Sequence, residues 1–452
     1  MSTNTRFLLR IPIRYYTSRA QRRVLGQDQS KIPTHELPIS KTTDSRVYVW
    51  GLAATGALGL QTSIKKQAKA YAESVHHPSR LNFAENRDIT DVAAGYGFTV
   101  FAAKCRQGLS LWGTGINTDS QIGFHKHGGA KRKPFELLIY PVPVEFTAVE
   151  GNDAKVQIVR VAAGRAHQLA LAEDGTVYAL GNNAYGQCGR EITKDEDYFN
   201  NPIINRIRGL SGDEDDPVVD VSCGQDHSLF LTKSGKLFSC GWSDDGQTGQ
   251  GCYGLVSTPG LVLGDVKGER IVKVTGCSDT VLALNDKGEV FGWGITEYGQ
   301  LLTESDANPQ INTPKHLAFL KGCGKIVDIA AGGSFCLVLN ENGDVFIWGY
   351  GILGFGPEVR HQATPKQIPA TLFGRNDFNP NLKVRSICAG LTHCGAINEQ
   401  DDLYMWGHNR YGCLGFGHKK DQLFPFKVAV SARVMKVSCG VDHSVALCKA
   451  FV

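Results

Sequence analysis

Val47-Tyr48-Val49-Trp50-Gly51 is the first copy of the pattern that decides the fold: a short apolar strand ending in an aromatic or apolar residue and a glycine. A glycine-rich turn follows it, and the signature returns six more times. The later copies are Leu111-Trp112-Gly113, Tyr178-Ala179-Leu180-Gly181, Phe238-Ser239-Cys240-Gly241, Phe291-Gly292-Trp293-Gly294, Phe346-Ile347-Trp348-Gly349 and Tyr404-Met405-Trp406-Gly407. A repeat of strands and tight turns, roughly 55 to 60 residues long, is typical of a ring of blades.

A second signature alternates with the first and ends in a turn glycine, as in Val221-Ser222-Cys223-Gly224-Gln225-Asp226-His227. Polar pairs that end in glycine, such as Glu173-Asp174-Gly175, connect the two signatures and indicate β-hairpins. Each unit therefore corresponds to one four-stranded antiparallel blade. We predict an all-β protein, a seven-bladed β-propeller.

The phase of the repeat predicts how the ring closes. The chain begins with the tryptophan-type signature at Val47 and ends with the second signature at Val437. Pairing Val437–Leu447 with Val47–Gly51 completes the seventh blade from both ends of the chain and leaves no open sheet edge. We assign residues 46–450 to the propeller, with loop insertions near 61–90, 124–155, 190–216 and 357–383.

Composition agrees with this architecture. The chain has 452 residues and 52 glycines, which suit the many turns. Its 13 cysteines include no Cys-x-x-Cys pair, which favours free thiols in a reducing compartment. Cys223, Cys388 and Cys439 are interpreted as one repeat position before the turn glycine. No apolar run is long enough to span a bilayer, so no transmembrane segment is predicted.

The N-terminus has a different composition from the rest. Residues 1–27 contain six arginines and no acidic residue, with an apolar side that includes Phe7 and Leu8. This composition predicts a mitochondrial transit peptide over 1–27, followed by a linker over 28–45. A basic arm for nucleic acid or anionic lipid is the alternative. The formal net charge of +4 owes much to this segment.

The paired signatures, with Gly-x-x-His-Ser at Gly224–Ser228 and Gly440–Ser444, resemble the repeat of the regulator of chromosome condensation family. The resemblance extends from about residue 46 to 448 and implies a seven-bladed propeller. The founding member is a guanine-nucleotide exchange factor for a small GTPase. With its N-terminus, the chain resembles the mitochondrial branch of the family. That branch is associated with exchange on an inner-membrane, dynamin-related GTPase and with assembly of the large mitochondrial ribosomal subunit.

The resemblance implies that side chains just after the second turn glycine contact the GTPase. The candidates, all at one repeat position and so expected on one face of the ring, are Asp226, His227, Asp442, His443, Arg165, His167, Asp279 and His393. For the histidines, a hydrogen bond within the blade is the competing interpretation. The expected mechanism is non-covalent displacement of nucleotide, so no catalytic residue, metal or cofactor is predicted. The chain has no GxxxxGK[ST] motif and is not itself the GTPase.

A basic loop offers the competing function. Residues 125–133 include Lys126, Lys131, Arg132 and Lys133, which suit ribosomal RNA phosphates or anionic lipid. A solvated loop is the structural alternative, since no aromatic residue lies between the basic ones. The predicted partners are thus a mitochondrial GTPase or, alternatively, mitochondrial ribosomal RNA and ribosome-assembly proteins. The expected location is the mitochondrial matrix or the matrix face of the inner membrane, and peripheral association with that membrane fits either function.

Overall fold

The computed structural model describes residues 45–60, 73–106, 109–126, 134–146, 156–213, 215–301 and 310–451. These residues form seven four-stranded antiparallel sheets. The predicted seven-bladed β-propeller is therefore confirmed. The predicted transit peptide at 1–27 lies outside the described residues, as does the predicted linker over 28–45 except for Ser45. In the described ranges, no helix is long and apolar enough to cross a membrane.

The strands follow one another with short connections. In chain order they are β1 (Ser45–Leu52), β2 (Ser74–Arg80), β3 (Ile89–Ala94), β4 (Phe98–Arg106), β5 (Leu109–Ile116), β6 (Leu137–Pro143), β7 (Ile158–Ala163), β8 (His167–Ala172), β9 (Val177–Gly181), β10 (Asn205–Ile207), β11 (Val218–Cys223), β12 (His227–Thr232), β13 (Leu237–Trp242), β14 (Leu255–Leu261), β15 (Ile271–Gly276), β16 (Thr280–Asn285), β17 (Val290–Ile295), β18 (Gln310–His316), β19 (Ile326–Ala331), β20 (Phe335–Asn340), β21 (Val345–Tyr350), β22 (His361–Gln367), β23 (Val384–Ala389), β24 (His393–Asn398), β25 (Leu403–Gly407), β26 (Gln422–Lys427), β27 (Arg433–Cys439) and β28 (His443–Lys449). Short 3₁₀ helices span Asn82–Asn86, Tyr198–Asn200, Gly264–Val266, Ala318–Cys323 and Ala370–Phe373.

Blades 1 to 6 each take four consecutive strands, from β3–β6 to β23–β26. Blade 7 combines both ends of the chain in the order β27-β28-β1-β2. The first strand of each blade lines a central channel that contains a cavity of about 280 Å³. Apolar side chains pack between neighbouring blades, with the indoles of Trp50, Trp293, Trp348 and Trp406 fully buried.

The ring closes as the repeat phase predicts. β1 pairs with β28 in antiparallel register from Ser45↔Lys449 to Gly51↔His443, without a break. Trp50 in β1 also donates its indole N–H to the carbonyl of Cys413 in blade 6, at 2.6 Å. The N-terminal strand is therefore held by backbone pairing within blade 7 and by a side-chain hydrogen bond to the neighbouring blade.

Blade 1 corrects one part of the sequence interpretation. The glycine equivalent to Gly51 is Gly115 and not Gly113, since Gly115 has the positive φ of 115°. A Cβ atom on Gly115 would lie 2.4 Å from the carbonyl oxygen of Gly97, so only glycine fits. Thr114 therefore takes the tryptophan position of this blade. Trp112 lies two residues earlier and packs beneath the guanidinium of Arg87, 4.4 Å from the ring centroid.

The stretches assigned to loop insertions also hold outer strands. Residues 61–90 contain β2, 124–155 contain β6, 190–216 contain β10, and 357–383 contain β22. The sequence pattern did not predict these strands because their side chains are mostly exposed or half-buried, and they therefore lack a continuous apolar run. Most of the basic loop, with Lys131, Arg132 and Lys133, lies outside the described residues.

A ring of charges surrounds the channel. Every innermost strand carries a register shift near its start, after its first residue or, in β27, after its second, and such bulges re-aim the side chain that follows. The residues after the shift alternate in charge around the ring: Asp91, Arg160, Asp220, Lys273, Asp328, Ser386 and Lys436. Perfect alternation is impossible in a ring of seven, and the neutral Ser386 occupies the odd position between Asp328 and Lys436.

Two of these aspartates join three blades each. Asp91 of blade 1 forms an ion pair with Lys436 of blade 7 and accepts a hydrogen bond from the Val161 N–H of blade 2, at 3.0 Å. Asp328 of blade 5 repeats the arrangement with Lys273 of blade 4 and the Ile387 N–H of blade 6. The ionic ring therefore fixes the order and spacing of the inner strands.

Replacing Lys436 with methionine tests this role. The change leaves the Asp91 carboxylate, which is 1% exposed, without its cation. We expect Lys436→Met to lower the free energy of unfolding by about 1–3 kcal/mol, as measured by chemical denaturation. In an Asp91→Asn background, which keeps an acceptor for Val161, the same substitution is expected to have a much smaller effect. Lys233→Met, at an exposed hairpin, is the control. Equal losses in both backgrounds would contradict an ionic role.

Candidate functional site

The turns between the first and second strands of each blade, here called the AB turns, surround one mouth of the channel. Backbone hydrogen bonds link them from blade to blade: Tyr96 N to Gly164 O at 3.2 Å, Arg165 N to Gln225 O at 2.9 Å, and Gly333 N to Leu391 O at 3.1 Å. The turns between third and fourth strands, the CD turns, lie at the same end of the blades. We call this surface the AB face. All eight predicted GTPase contacts lie in AB turns or at the start of the strand that follows.

Asp226 lies in the AB turn of blade 3 and is largely buried. Its two carboxylate oxygens accept hydrogen bonds from Arg165 of blade 2, with Nη2–Oδ2 at 2.8 Å and Nε–Oδ1 at 3.1 Å. Burial raises the pKa of the Asp226 carboxyl, and the Arg165 charge acts in the opposite direction. The structure thus brings two predicted contacts together as a planar ion pair, with the Arg165 side chain 42% exposed.

Asp442 occupies the same position in blade 7 and is partly exposed. Its carbonyl accepts the Leu52 N–H at 2.8 Å, which ties this AB turn to the N-terminal strand. Burial raises the pKa of the Asp442 carboxyl, whereas Arg410 in the neighbouring CD turn lowers it. This carboxylate is therefore available on the AB face, beside a cation.

Asp279 in the AB turn of blade 4 belongs to a bridged group of carboxylates. Gln247 donates through Nε2 to Asp279 Oδ1 at 2.9 Å and to Asp245 Oδ2 at 3.1 Å. Asp245 also accepts from Gln310 Nε2 at 2.6 Å. These amide donors hold two carboxylates close together without neutralising them.

The acidic side chains in the AB and CD turns of blades 1, 3 and 4 lie on the AB face and are here called the acidic sector. Its members are Asp119, Asp226, Asp244, Asp245, Asp279 and Glu297. The negative charges of Asp279 and Asp119 both raise the pKa of Asp226, which shows how closely they lie. Asp244 and Glu297 are exposed.

Sequence reasoning missed the members of the sector in CD turns: Asp119, Asp244, Asp245 and Glu297. Each follows the positive-φ glycine of its third strand by three or four residues. That spacing was a usable signal, since CD and AB turns meet at one end of every antiparallel blade.

Aromatic side chains accompany the acidic sector. Tyr185 and Trp242 pack edge to face with ring centroids 4.8 Å apart. Tyr298 and Tyr350 stack at 5.5 Å, and both are more than a third exposed. Exposed tyrosines next to carboxylates offer apolar area and hydrogen bonds together, a composition enriched in protein–protein interfaces.

The four predicted histidines lie behind this surface and are at most 1% exposed. Three of them bond to a hydroxyl in the next blade: His167 Nε2 to Ser228 Oγ at 3.1 Å, His393 Nε2 to Ser444 Oγ at 3.1 Å, and His443 Nε2 to Thr99 Oγ1 at 2.8 Å. Each hydroxyl donates in turn to a backbone carbonyl, as Ser228 does to Gln187 at 2.7 Å. These histidines join neighbouring blades and are buried beneath the AB face.

His227 occupies the same position in blade 3, but its ring has no hydroxyl in the next blade to bond to. The equivalent position in the next blade is Val281, which has no hydroxyl. The Nε2 atom of His227 accordingly has no hydrogen-bond partner. The hydroxyl of the next blade is therefore what distinguishes the bonded histidines from His227.

Burial also controls the protonation of these rings. It lowers the pKa of His167 and His393 to about 3 and that of His227 and His443 to about 4, from an ordinary value of 6.5. The unfolded chain therefore binds more protons than the folded one below about pH 6.5. The contribution of these histidines to the free energy of unfolding is fully present above that pH. It is lost as the pH falls toward their pKa values in the folded state.

We expect the denaturation midpoint to fall steeply between about pH 6.5 and 4.5, since each buried histidine contributes up to ~1.4 kcal/mol per pH unit. In His393→Gln, the slope of unfolding free energy against pH should be smaller by about one proton. His77→Gln, at an exposed histidine, serves as the control. An unchanged slope in His393→Gln would contradict this assignment.

The basic loop is only partly described. Lys126 is exposed, with its ammonium 4.4 Å from the Phe124 ring centroid. His125 Nε2 bonds to the Ile122 carbonyl at 3.0 Å, and burial lowers the pKa of its ring. In the described part of the loop, His125 and Lys126 line a cavity between blades 1 and 2, together with residues that include Val144, Leu180 and Ile203.

Comparison with known proteins identifies the same repeats in this chain. Residues 199–450 match the RCC1-like domain, and residues 44–102 and 158–187 match the regulator of chromosome condensation (RCC1) repeat. The chain is 40% identical over 438 residues to the mouse RCC1-like G exchanging factor-like protein, covering 95% of this chain and 93% of the relative. Its human counterpart is 41% identical over 413 residues, covering 90% and 87%.

Solved structures show the same fold. The crystal structure of human WBSCR16 superposes with a TM-score of 0.82 at 41% identity and covers 90% of this chain and all of that one. Yeast RCC1 (Prp20) bound to Kap60 gives a TM-score of 0.72 at 21% identity, covering 91% and 90%. The chain therefore belongs to the family of propeller proteins built from regulator of chromosome condensation (RCC1) repeats.

Proposed function

We propose that this protein is a mitochondrial guanine-nucleotide exchange factor that binds its GTPase with the acidic sector of the AB face. The observation that carries the proposal is the sector itself: six carboxylates on one face, two of which are bridged by the Gln247 amide, together with the exposed Tyr298 and Tyr350. Relatives at 40% and 41% identity are named for G exchange. The Arg-rich, acid-poor residues 1–27 favour mitochondrial import.

The chemistry requires no covalent step. A GTPase holds its nucleotide with a phosphate-binding lysine and Mg²⁺. Carboxylates placed beside that site compete for the lysine and disturb the metal, which weakens nucleotide binding. By linkage, nucleotide then weakens binding of the exchange factor to the same degree. The protein therefore binds most tightly to the nucleotide-free GTPase.

The fixed and free carboxylates have different roles in this proposal. Asp226 is held by Arg165 and gives the sector a rigid centre. Asp244 and Glu297 are exposed and can contact a basic partner without breaking an ion pair of the fold. Asp442 lies on blade 7 and extends the contact surface to the other side of the mouth. The buried histidines only support the turns.

An exchange assay with the inner-membrane, dynamin-related GTPase tests this function. Release of fluorescent GDP is measured with wild-type protein and with the variant Asp244→Asn/Asp279→Asn/Glu297→Gln. We expect stimulation of release to fall at least tenfold, or roughly 1.4 kcal/mol of binding energy, since the partner's cations lose their counter-charges.

The control variant changes exposed acids at the opposite end of the blades. Asp286→Asn/Glu341→Gln removes two negative charges, against three in the test variant, from hairpins between second and third strands and should leave release unchanged. Equal losses in both variants would indicate a general charge effect. No stimulation by wild-type protein, with mitochondrial ribosomal RNA recovered instead, would favour the ribosome-assembly alternative through the basic loop.

A further inference from the structure

Two thiols from neighbouring blades meet at the channel. Cys388 in β23 of blade 6 and Cys439 in β27 of blade 7 have their sulfur atoms 3.7 Å apart. The sequence interpretation placed both at one repeat position, and the structure corrects this. Cys439 directly precedes its turn glycine, whereas Cys388 stands two residues before Gly390. Since side chains alternate between the faces of a strand, this offset turns the two thiols toward each other across the seam.

The seam between blades 6 and 7 is held in register close to the thiols. Arg385 Nη2 donates to the Val434 carbonyl at 2.6 Å, and His393 Nε2 bonds to Ser444 Oγ at 3.1 Å. Ser444 is the strand partner of Cys439. The two sulfur atoms are therefore kept within a side-chain rotation of bonding distance, which is about 2.05 Å in a disulfide.

A small oxidant can reach the pair through the channel. Both cysteines line the central cavity, and both are partly exposed, unlike the buried Cys394 and Cys413 beside them. The hydrogen bond to Cys388, together with burial, raises the pKa of the Cys439 thiol. Either sulfur, once deprotonated, can react with the oxidant, and the other lies 3.7 Å away to complete the bond.

We propose that Cys388 and Cys439 form a modification site, at which a hydroperoxide oxidises the two thiols to a reversible disulfide between blades 6 and 7. The thiol of one cysteine attacks the peroxide O–O bond as its thiolate and becomes a sulfenic acid, while the departing hydroxide takes up the proton that the thiol released. The sulfur of the other cysteine then displaces the sulfenic hydroxyl, and that oxygen leaves as water with that cysteine's proton. With hydrogen peroxide as the oxidant, two thiols and one peroxide give one disulfide and two waters.

The bond would cross-link the ring beside its closing blade. It joins the innermost strands of blades 6 and 7, three residues before Asp442 of the AB face. A cross-link between distant chain positions restricts the unfolded ensemble, so the oxidised protein should resist unfolding more than the reduced one.

Peptide mapping after oxidation tests the proposal. The reduced full chain is treated with hydrogen peroxide, free thiols are alkylated, and non-reduced digests are analysed by mass spectrometry. We expect a cross-linked peptide pair containing residues 388 and 439, lost on reduction with dithiothreitol. The denaturation midpoint should rise on oxidation and return on reduction.

Cys388→Ser and Cys439→Ser are the matched variants, since serine preserves the size of each side chain. Both should fold with an unchanged reduced-state midpoint and show no midpoint rise on oxidation. Cys252 is exposed and reports general thiol reactivity in every sample. The proposal is overturned if oxidised wild-type protein retains alkylatable Cys388 and Cys439 while Cys252 reacts. It is equally overturned if either cysteine reaches the sulfinic acid without the cross-link.

Discussion

The pairing of β1 with β28 is the constraint on which the other contacts depend. A propeller blade buries both faces against neighbours, so a ring with one incomplete blade exposes two apolar faces and an unpaired edge. Seven consecutive residue pairs between Ser45–Gly51 and His443–Lys449 close that gap. The same closure places the Asp442 turn against Leu52 and brings Lys436 to Asp91 across the first and last blades. The pairing of β1 with β28 therefore fixes the positions of the AB turns and of the charged residues around the channel.

Polar contacts between blades follow a common rule: a side chain in one unit meets a complementary group one repeat later. The histidine–hydroxyl pairs, the Arg165–Asp226 pair and the thiols of Cys388 and Cys439 all obey it. Such contacts specify the neighbour more strongly than apolar packing alone, since a mismatched blade would bury an unpaired polar group. At His227, which faces Val281, the ring tolerates a buried histidine nitrogen without a hydrogen-bond partner.

The sequence contained enough to predict the architecture, because strand, glycine turn and hairpin recur in fixed order and the phase of the repeat reveals the closure. It could not place Gly115, since Gly113 follows Trp112 and matches the pattern equally well. The positive φ of Gly115 and the approach of the Gly97 carbonyl distinguish the two. For the site, spacing predicted a common face for Asp226, Asp279 and Asp442. It did not reveal that Asp226 is paired or that the histidines are buried, since both depend on contacts between units. A comparison of each histidine with the hydroxyl position one repeat later would have revealed the second point.

Site-specific photocrosslinking tests the central claim most directly, that the AB face binds a GTPase. A photoreactive amino acid is placed at Glu297 on the acidic sector or at Lys287 on the opposite end of blade 4. Each protein is then irradiated in mitochondrial extract depleted of nucleotide and Mg²⁺. The account predicts that a GTPase is crosslinked from position 297 and not from 287, and that added GTP with Mg²⁺ removes the product. A GTPase crosslinked only from 287, or none from either position, would contradict it.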